Sequence, residues 1–281
     1  MTDGDSDWRT TFRPDIPSSA RIYDYLLGGK DNYPVDRAAA EKLIEILPSV
    51  RMAARINRAF VARAVRYMVN EAGITQFIDI GSGLPTLGNV HEIARGEDPA
   101  AHVVYVDHDP VVLAHVRDVL SGEDGVTIVS HDMRDPRGIL DDPETRRLID
   151  FDRPVGILLI SMLHFLADAD DPAGIIRQLL KPFPAGSHVS LTHSTSDSTP
   201  RHGEVTELYR RATTDIFVRP RDEVLALVNG LDVVEPGVVW TPLWRPDPDE
   251  PLPQDPSSCY YYALMARTLY EHGRHQAALI A

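Results

Sequence analysis

Residues 77–86 read FIDIGSGLPT, an apolar run that leads into a turn with two glycines. This pattern predicts a buried β-strand whose carboxyl end approaches a ligand, because glycine has no Cβ atom to keep the backbone N–H groups away from it. A dinucleotide fingerprint has a third glycine where this chain has Thr86, and Pro85 removes an N–H group from the loop. The turn therefore suits a pyrophosphate poorly.

Short apolar runs alternate with helical patterns after this stretch. Strands are predicted at 75–80, 102–107, 125–130, 155–161 and 187–193, and helices at 86–95, 110–121, 136–149 and 171–181. Helical segments at 202–213 and 220–229 then precede two apolar runs, 231–240 and 259–267, which predict a C-terminal hairpin. The pattern predicts an α/β fold of Rossmann-like type, with a mostly parallel seven-stranded sheet and helices on both faces.

The chain is predicted to form one domain with an added cap. Residues 1–17 are polar and contain two prolines, which favours a flexible tail. Residues 18–73 carry three helical patterns and are predicted to form an N-terminal helical cap or lid. Residues 74–281 are predicted to form the core, including the C-terminal hairpin.

Composition limits the classes of partner. The formal net charge of the 281-residue chain is −14, which disfavours nucleic acid because an acidic surface repels phosphates. No apolar run reaches the roughly 20 residues of a membrane-spanning helix, so no membrane partner is expected. The single cysteine, Cys259, suits a cytoplasmic location, and no His or Cys spacing predicts a metal site. A small-molecule substrate is expected, and the oligomeric state is left open.

Acidic residues at strand ends predict a nucleoside site. Asp107 ends the second predicted strand beside His108, where a carboxylate can accept both ribose hydroxyls. Asp132 follows the third strand and is placed to receive an adenine amino group, with Met133 beside the ring. S-adenosylmethionine has no phosphate, and its ammonium group needs a carboxylate such as Asp79. The glycine turn itself supplies three further predicted contacts: Gly81, Ser82 and Gly83.

Several long segments carry a family resemblance. They are ARIYDYLLGGKDNY (20–33), NRAFVARAVRY (57–67), QFIDIGSGLPTLGNVHE (76–92), VVYVDHDPVVLAHV (103–116), RPVGILLISMLHFL (153–166) and VEPGVVWTPLWRPD (234–247). Together they resemble an actinobacterial family of S-adenosylmethionine-dependent methyltransferases that was first defined as a domain of unknown function. The resemblance implies a class I methyltransferase fold, S-adenosylmethionine as cofactor and methyl transfer to an acceptor that it does not identify.

The cap contributes three further candidates for the cofactor site. In the loop 28–33, Lys30 is predicted to meet the cofactor carboxylate and Tyr33 to cover the sulfonium or the substrate. The alternative is a simple helix–helix turn with a solvated lysine. Arg58 belongs to a basic face of the third helix, which either is solvated or, with Asn57, points to an anionic substrate or the cofactor carboxylate.

Two histidines near strand ends are the candidates for a catalytic base. His164 follows the fourth strand in an apolar run, so a packed structural role is the alternative. His193 ends the fifth strand among polar residues, which suits a site or an exposed loop. Ser161 and Met162 are predicted to contact the cofactor. Two other functions stay open: a non-catalytic sensor that binds the cofactor or its demethylated product, and, less favoured, an NAD-dependent oxidoreductase.

Overall fold

The structure is a computed structural model that describes residues 13–85 and 88–269. Most of the predicted tail (1–12), the start of the predicted helix at Thr86 and Leu87, and the C-terminal residues 270–281 lie outside the described residues. Three helices precede the sheet, as predicted: α1 Ser19–Leu27, α2 Pro34–Ile46 and α3 Val50–Asn70. Pro34 begins α2 at a position where its missing N–H group costs no hydrogen bond.

Five parallel strands then alternate with helices. The strands are β1 Gln76–Ile80, β2 His102–Asp107, β3 Val126–Ser130, β4 Gly156–Ile160 and β5 His188–Ser194. The helices between them are α4 Val90–Glu97, α5 Pro110–Val119, α6 Pro136–Asp141, α7 Pro143–Leu148 and α8 Pro172–Leu180. The helix predicted over 136–149 is two helices, because the Asp142 carboxylate accepts from the Glu144 N–H group and caps a new helix that starts at Pro143.

The end of the chain adds two helices and an antiparallel edge to the sheet. These elements are α9 His202–Ala212, α10 Arg221–Ala226, β6 Asp232–Val233, β7 Val239–Trp240 and β8 Tyr261–Arg267. The strand order is β3-β2-β1-β4-β5-β8-β6, and β7 also pairs with β8. The strand predicted at 231–240 is therefore split by a turn at Pro236 and Gly237. The sheet has eight strands where seven were predicted. The difference arises because the run predicted at 231–240 forms two short strands, β6 and β7, which pair with the same edge of β8.

Apolar residues cover both faces of the sheet. On one face, α3 packs Phe60, Ala64 and Met68 against Phe77 of β1. On the other, Ile176 of α8 belongs to the cluster that includes the inward residues of β4. A third cluster joins α1 and α2 to Val205 of α9, so the cap contains a helix from the C-terminal half as well as the three N-terminal helices. This cap lies over the carboxyl ends of the parallel strands.

Candidate functional site

A cavity of about 380 Å³ lies between the cap and the carboxyl ends of the strands. The carboxyl ends of parallel strands meet at one edge of a sheet, which is where ligands bind in this class of fold. The predicted site residues that line the cavity are Arg58, Asp79, Gly81, Ser82, Gly83, Asp107, His108, Met133, Ser161, Met162 and His164. Four other predicted residues are not among those that line it: Lys30, Tyr33, Asp132 and His193.

The glycine turn joins the ends of β1 and β2. Gly81 has a φ of 73° and donates its N–H group to the Val106 carbonyl at 2.8 Å. A Cβ atom on Gly81 would lie 2.0 Å from the sulfur of Met162, so only glycine fits here without displacing that side chain. Gly83 has a φ of 66° and donates its N–H group to Asp107 Oδ2 at 3.0 Å. The turn thus places open backbone beside the predicted ribose-binding carboxylate.

Asp107 is held in place by backbone groups. Its Oδ1 accepts from the N–H groups of His108 at 2.8 Å and Asp109 at 2.9 Å. Burial raises the pKa of this carboxyl, and the hydrogen bonds from Asp109 and Gly83 oppose that rise because they favour the charged form. Oδ2 accepts only from Gly83 in the described part of the chain, so it keeps capacity for a ligand hydroxyl.

Asp79 is a buried carboxylate that has no hydrogen-bond partner among the described residues. Its side chain makes no hydrogen bond to any of the described residues, although the residue is only 7% exposed. Burial, reinforced by the nearby charge of Asp107, raises its pKa to about 7, and Arg58 opposes that rise. A cationic ligand would compensate this carboxylate, which is what the predicted ammonium contact requires.

Ser161, after β4, has strained backbone. Its φ of 55° is rare for a residue other than glycine, and its N–H group donates to Thr192 Oγ1 at 2.9 Å. Asn57 of α3 donates through Nδ2 to Ser161 Oγ at 2.9 Å and to the Tyr23 hydroxyl at 3.0 Å. Asn57 Oδ1 is buried and has no partner among the described residues. The Asn57 side chain therefore connects the cap to the strand ends, and its Oδ1 makes no hydrogen bond to the described residues.

The two candidate histidines differ in whether their ring nitrogens already make hydrogen bonds. His193 is fully buried, its Nδ1 donates to the Ser194 carbonyl at 2.7 Å, and its Nε2 accepts from Arg219 at 3.0 Å. Both ring nitrogens are thus engaged, and burial lowers its pKa to about 4. His164 lines the cavity, and its Nδ1 has no partner among the described residues. Burial lowers the pKa of His164 well below its usual value, so the ring is neutral at pH 7.

Three of the remaining predicted residues, Lys30, Tyr33 and Asp132, are not among those that line the cavity, whereas Arg58 is. Lys30 is exposed, and the Tyr33 ring lies under the Arg21 guanidinium, 5.4 Å from its centre. Asp132 pairs with Arg134 at 3.1 Å. Arg58 reaches the rim, where it donates to the Gly88 carbonyl at 2.8 Å.

The cavity residues that the sequence did not predict include three tyrosines. Tyr23 of α1, Tyr209 of α9 and Tyr261 at the start of β8 all line the cavity. In the sequence they look like ordinary apolar positions of amphipathic elements, and they are separated by more than 50 residues. The one available signal was the cap itself, since helices that cover a ligand site turn side chains toward it.

Residues 13–85 and 88–269 contain no group of three His, Cys, Asp or Glu side chains arranged to hold a metal ion. None of their helices has the length and apolar character needed to cross a membrane.

Comparison with known proteins identifies a protein family that matches this chain. The model of a family described as S-adenosyl methyltransferase matches residues 7–269. Two solved structures are similar over nearly the whole chain. A putative methyltransferase from Thermobifida fusca is 38% identical, with a TM-score of 0.86, over 91% of this chain and 97% of that one. A DUF574 family protein from Streptomyces avermitilis is 39% identical, with a TM-score of 0.87, over 91% and 100%. No curated protein matches the chain.

Proposed function

Since the chain belongs to the S-adenosyl methyltransferase family, we propose that its capped cavity holds S-adenosylmethionine and presents it to a small-molecule acceptor. The observation that carries this proposal is Asp79, a buried carboxylate that has no hydrogen-bond partner among the described residues and stands beside a glycine turn. A site for a pyrophosphate would not place a carboxylate there, because like charges repel. The NAD alternative is therefore disfavoured.

In this proposal, different residues of the cavity contact different parts of the cofactor. Asp79 receives the ammonium group, and Asp107 accepts from the ribose hydroxyls with His108 beside it. Met133 packs against the adenine, and the backbone of the glycine turn lies along the amino-acid part. Ser161 and Met162 border the reactive end. Lys30, Tyr33, Arg58 and Asp132 stay predictions for contacts at the rim.

Methyl transfer requires that the acceptor be aligned with the methyl group. A hydroxyl acceptor also requires a group that takes its proton. When bound, S-adenosylmethionine supplies a methyl group on a sulfonium, and the sulfur keeps the bonding electrons as a thioether once the acceptor has taken the methyl group. Holding the acceptor close and in line supplies most of the acceleration. A hydroxyl acceptor also loses a proton, and we propose His164 as its recipient because the ring lines the cavity and its Nδ1 has no partner among the described residues. His193 does not enter this proposal, since both of its nitrogens are engaged.

Cofactor affinity should depend on pH through Asp79. Because the folded-state pKa is about 7, against roughly 4 for an unperturbed Asp, the carboxyl is protonated in the free protein at lower pH. We expect the affinity for S-adenosylhomocysteine, which carries the same ammonium group, to rise by about tenfold per pH unit between about pH 5.5 and 7 and then to level off. Calorimetry in buffers of different ionisation enthalpy should also detect proton release.

The Asp79→Asn variant is the control for this dependence. It should bind the cofactor more weakly at pH 8 and lose the pH dependence below pH 7. A group whose pKa is raised on folding stabilises the fold at low pH, and that contribution is lost as pH rises through the folded pKa. The free Asp79→Asn protein should therefore be more stable than the unmodified protein at pH 8. Retention of the full pH dependence in Asp79→Asn would mean that another group titrates.

Methyl transfer distinguishes an enzyme from a non-catalytic sensor. The protein would be incubated with S-adenosylmethionine labelled in the methyl group and with a library of small molecules, and labelled products would be detected by mass spectrometry. We expect at least one labelled acceptor, whose formation falls by about 10²–10⁴-fold in His164→Ala while cofactor affinity is kept. Cofactor binding without any transfer would favour the sensor.

Small size is the expected property of the acceptor. The cavity is enclosed by the cap, and the chain carries a net charge of −14, which supports a small molecule over a nucleic acid. A cytoplasmic location remains our expectation from the composition, with Cys259 as a buried free thiol.

A further inference from the structure

Part of the cavity extends beyond the predicted cofactor residues. Five residues surround it, and we call it the tyrosine chamber: Tyr23, His164, Phe165, Tyr209 and Tyr261. In the sheet, β4 and β8 lie on the opposite side of β1 from β2 and β3. The nucleoside is predicted at the ends of β2 and β3, so the chamber, which is built on β4 and β8, is left for another molecule.

The chamber wall is aromatic. The His164 ring lies 4.5 Å from the Phe165 ring and 6.1 Å from the Tyr261 ring, between ring centres. The Phe165 ring is in turn 6.4 Å from the Tyr209 ring. Rings at these separations offer both faces and edges, which attract another planar ring in stacked or edge-to-face arrangements.

The chamber is also poor in charge. Burial raises the pKa of Tyr209 to about 12 and raises that of Tyr261 further, and in both cases the neighbouring groups that add to the rise are other tyrosines. Arg58 influences Tyr23, and Arg219 influences His164, but each guanidinium donates elsewhere, to Gly88 and to His193. A charged acceptor would lose its hydration here without a partner, which costs several kcal/mol in general.

Two residues that line the cavity carry unpartnered polar atoms. Asn57 Oδ1 and His164 Nδ1 are buried and make no hydrogen bond to the described residues. Ser161 Oγ accepts from Asn57 Nδ2 at 2.9 Å. Buried polar atoms are normally satisfied, so these positions fit a ligand that brings one hydroxyl group.

We propose that the tyrosine chamber is the acceptor subsite and that it takes an uncharged aromatic compound whose hydroxyl group is the nucleophile. The inference rests on the proposed function. In the transfer, the hydroxyl oxygen forms the bond to the methyl carbon as the carbon–sulfur bond breaks, the electron pair stays on sulfur, and the proton passes to His164 and then to water. The whole cavity, about 380 Å³, lies within the usual range for ligand sites, and the tyrosine chamber is the part of it that remains for the acceptor.

Binding of 2-naphthol to the protein loaded with S-adenosylhomocysteine tests the inference. Calorimetry at pH 7.5 would compare it with 2-naphthoate, which adds a charge, with decahydro-2-naphthol, which lacks the aromatic rings, and with 2-methoxynaphthalene, which lacks the hydroxyl. We expect 2-naphthol to bind at least about tenfold more tightly than each of the three. Tyr209→Ala and Tyr261→Ala should each weaken 2-naphthol by about tenfold or more. Tyr25→Ala, on α1 but outside the cavity, should leave it unchanged.

The same titrations separate two kinds of failure. If S-adenosylhomocysteine does not bind, the proposed function fails and the acceptor inference falls with it. If the cofactor product binds to every variant but 2-naphthoate equals or exceeds 2-naphthol, the chamber accepts charge and only the acceptor inference is overturned. The inference is likewise overturned if Tyr209→Ala and Tyr261→Ala bind 2-naphthol as the unmodified protein does.

Discussion

Replacing Arg63 with alanine is expected to lower the free energy of unfolding by about 3–5 kcal/mol. The guanidinium lies on α3 and is almost wholly buried, with a side chain 2% exposed. It donates to the carbonyls of Trp244 and Thr241, each at 2.9 Å, and forms an ion pair with Glu250 at 2.6 Å. Alanine would leave the buried Trp244 carbonyl without this donor, would take one of two donors from the Thr241 carbonyl, and would remove the charged partner of Glu250, which is the situation that makes a broken buried pair costly.

Arg66, one turn further along the same helix, is the matched control. It pairs with Asp247 at 2.9 Å, but its side chain is 39% exposed, so Arg66→Ala should cost about 0–1 kcal/mol. Urea denaturation of both variants, followed by circular dichroism, gives the comparison. Equal losses in the two variants would show that Arg63 does not hold the segment 241–250 to the core.

Replacing Gly81 with valine is expected to weaken cofactor binding by about 100-fold or more. The backbone at Gly81 has a φ of 73°, which costs a β-branched residue about 1–3 kcal/mol. The new Cβ would also overlap the Met162 sulfur at 2.0 Å, and Met162 must then move within the cavity wall. Both effects act on the turn that is predicted to bind the amino-acid part of the cofactor, and overpacking adds about 1–3 kcal/mol.

Gly73→Val is the control for Gly81→Val. It separates the effect of backbone strain from the effect of damage to the cofactor site. Gly73 has a φ of 66°, and a Cβ there would meet no atom within 4 Å. This residue is not among those that line the cavity. We therefore expect Gly73→Val to reduce stability while leaving the affinity for S-adenosylhomocysteine unchanged. If Gly81→Val binds as tightly as Gly73→Val does, the glycine turn is not part of the cofactor site.

Most of the sheet could be predicted because each strand is a short apolar run between helices. The strand predicted at 231–240 was only partly right, since apolar periodicity does not show where Pro236 and Gly237 interrupt a pairing. The helix predicted at 136–149 was divided for a similar reason, namely a local cap at Asp142. The additional cap helix, α9, was visible as a helix, but its packing on α1 and α2 depends on contacts between distant parts of the chain.

The site could be predicted where residues follow strand ends. Asp79 and Asp107 were identifiable because parallel strands bring their carboxyl ends together. The three tyrosines of the tyrosine chamber could not be identified in this way, since they come from α1, α9 and β8 and only the fold assembles them. His193 shows a different limit of prediction from sequence. It lies at the end of a strand, but its ring accepts a hydrogen bond from the buried Arg219, and no sequence pattern indicates that contact.

We propose that the cavity at the carboxyl ends of β1 and β2 binds S-adenosylmethionine. The most direct measurement is calorimetric titration of the unmodified protein and Asp107→Ala with S-adenosylmethionine, S-adenosylhomocysteine and NAD. We predict micromolar binding of the first two, none of NAD, and a loss of about 1–3 kcal/mol in Asp107→Ala, because ribose hydroxyls lose their acceptor. Tight binding of NAD alone, or an unchanged affinity in Asp107→Ala, would contradict the account.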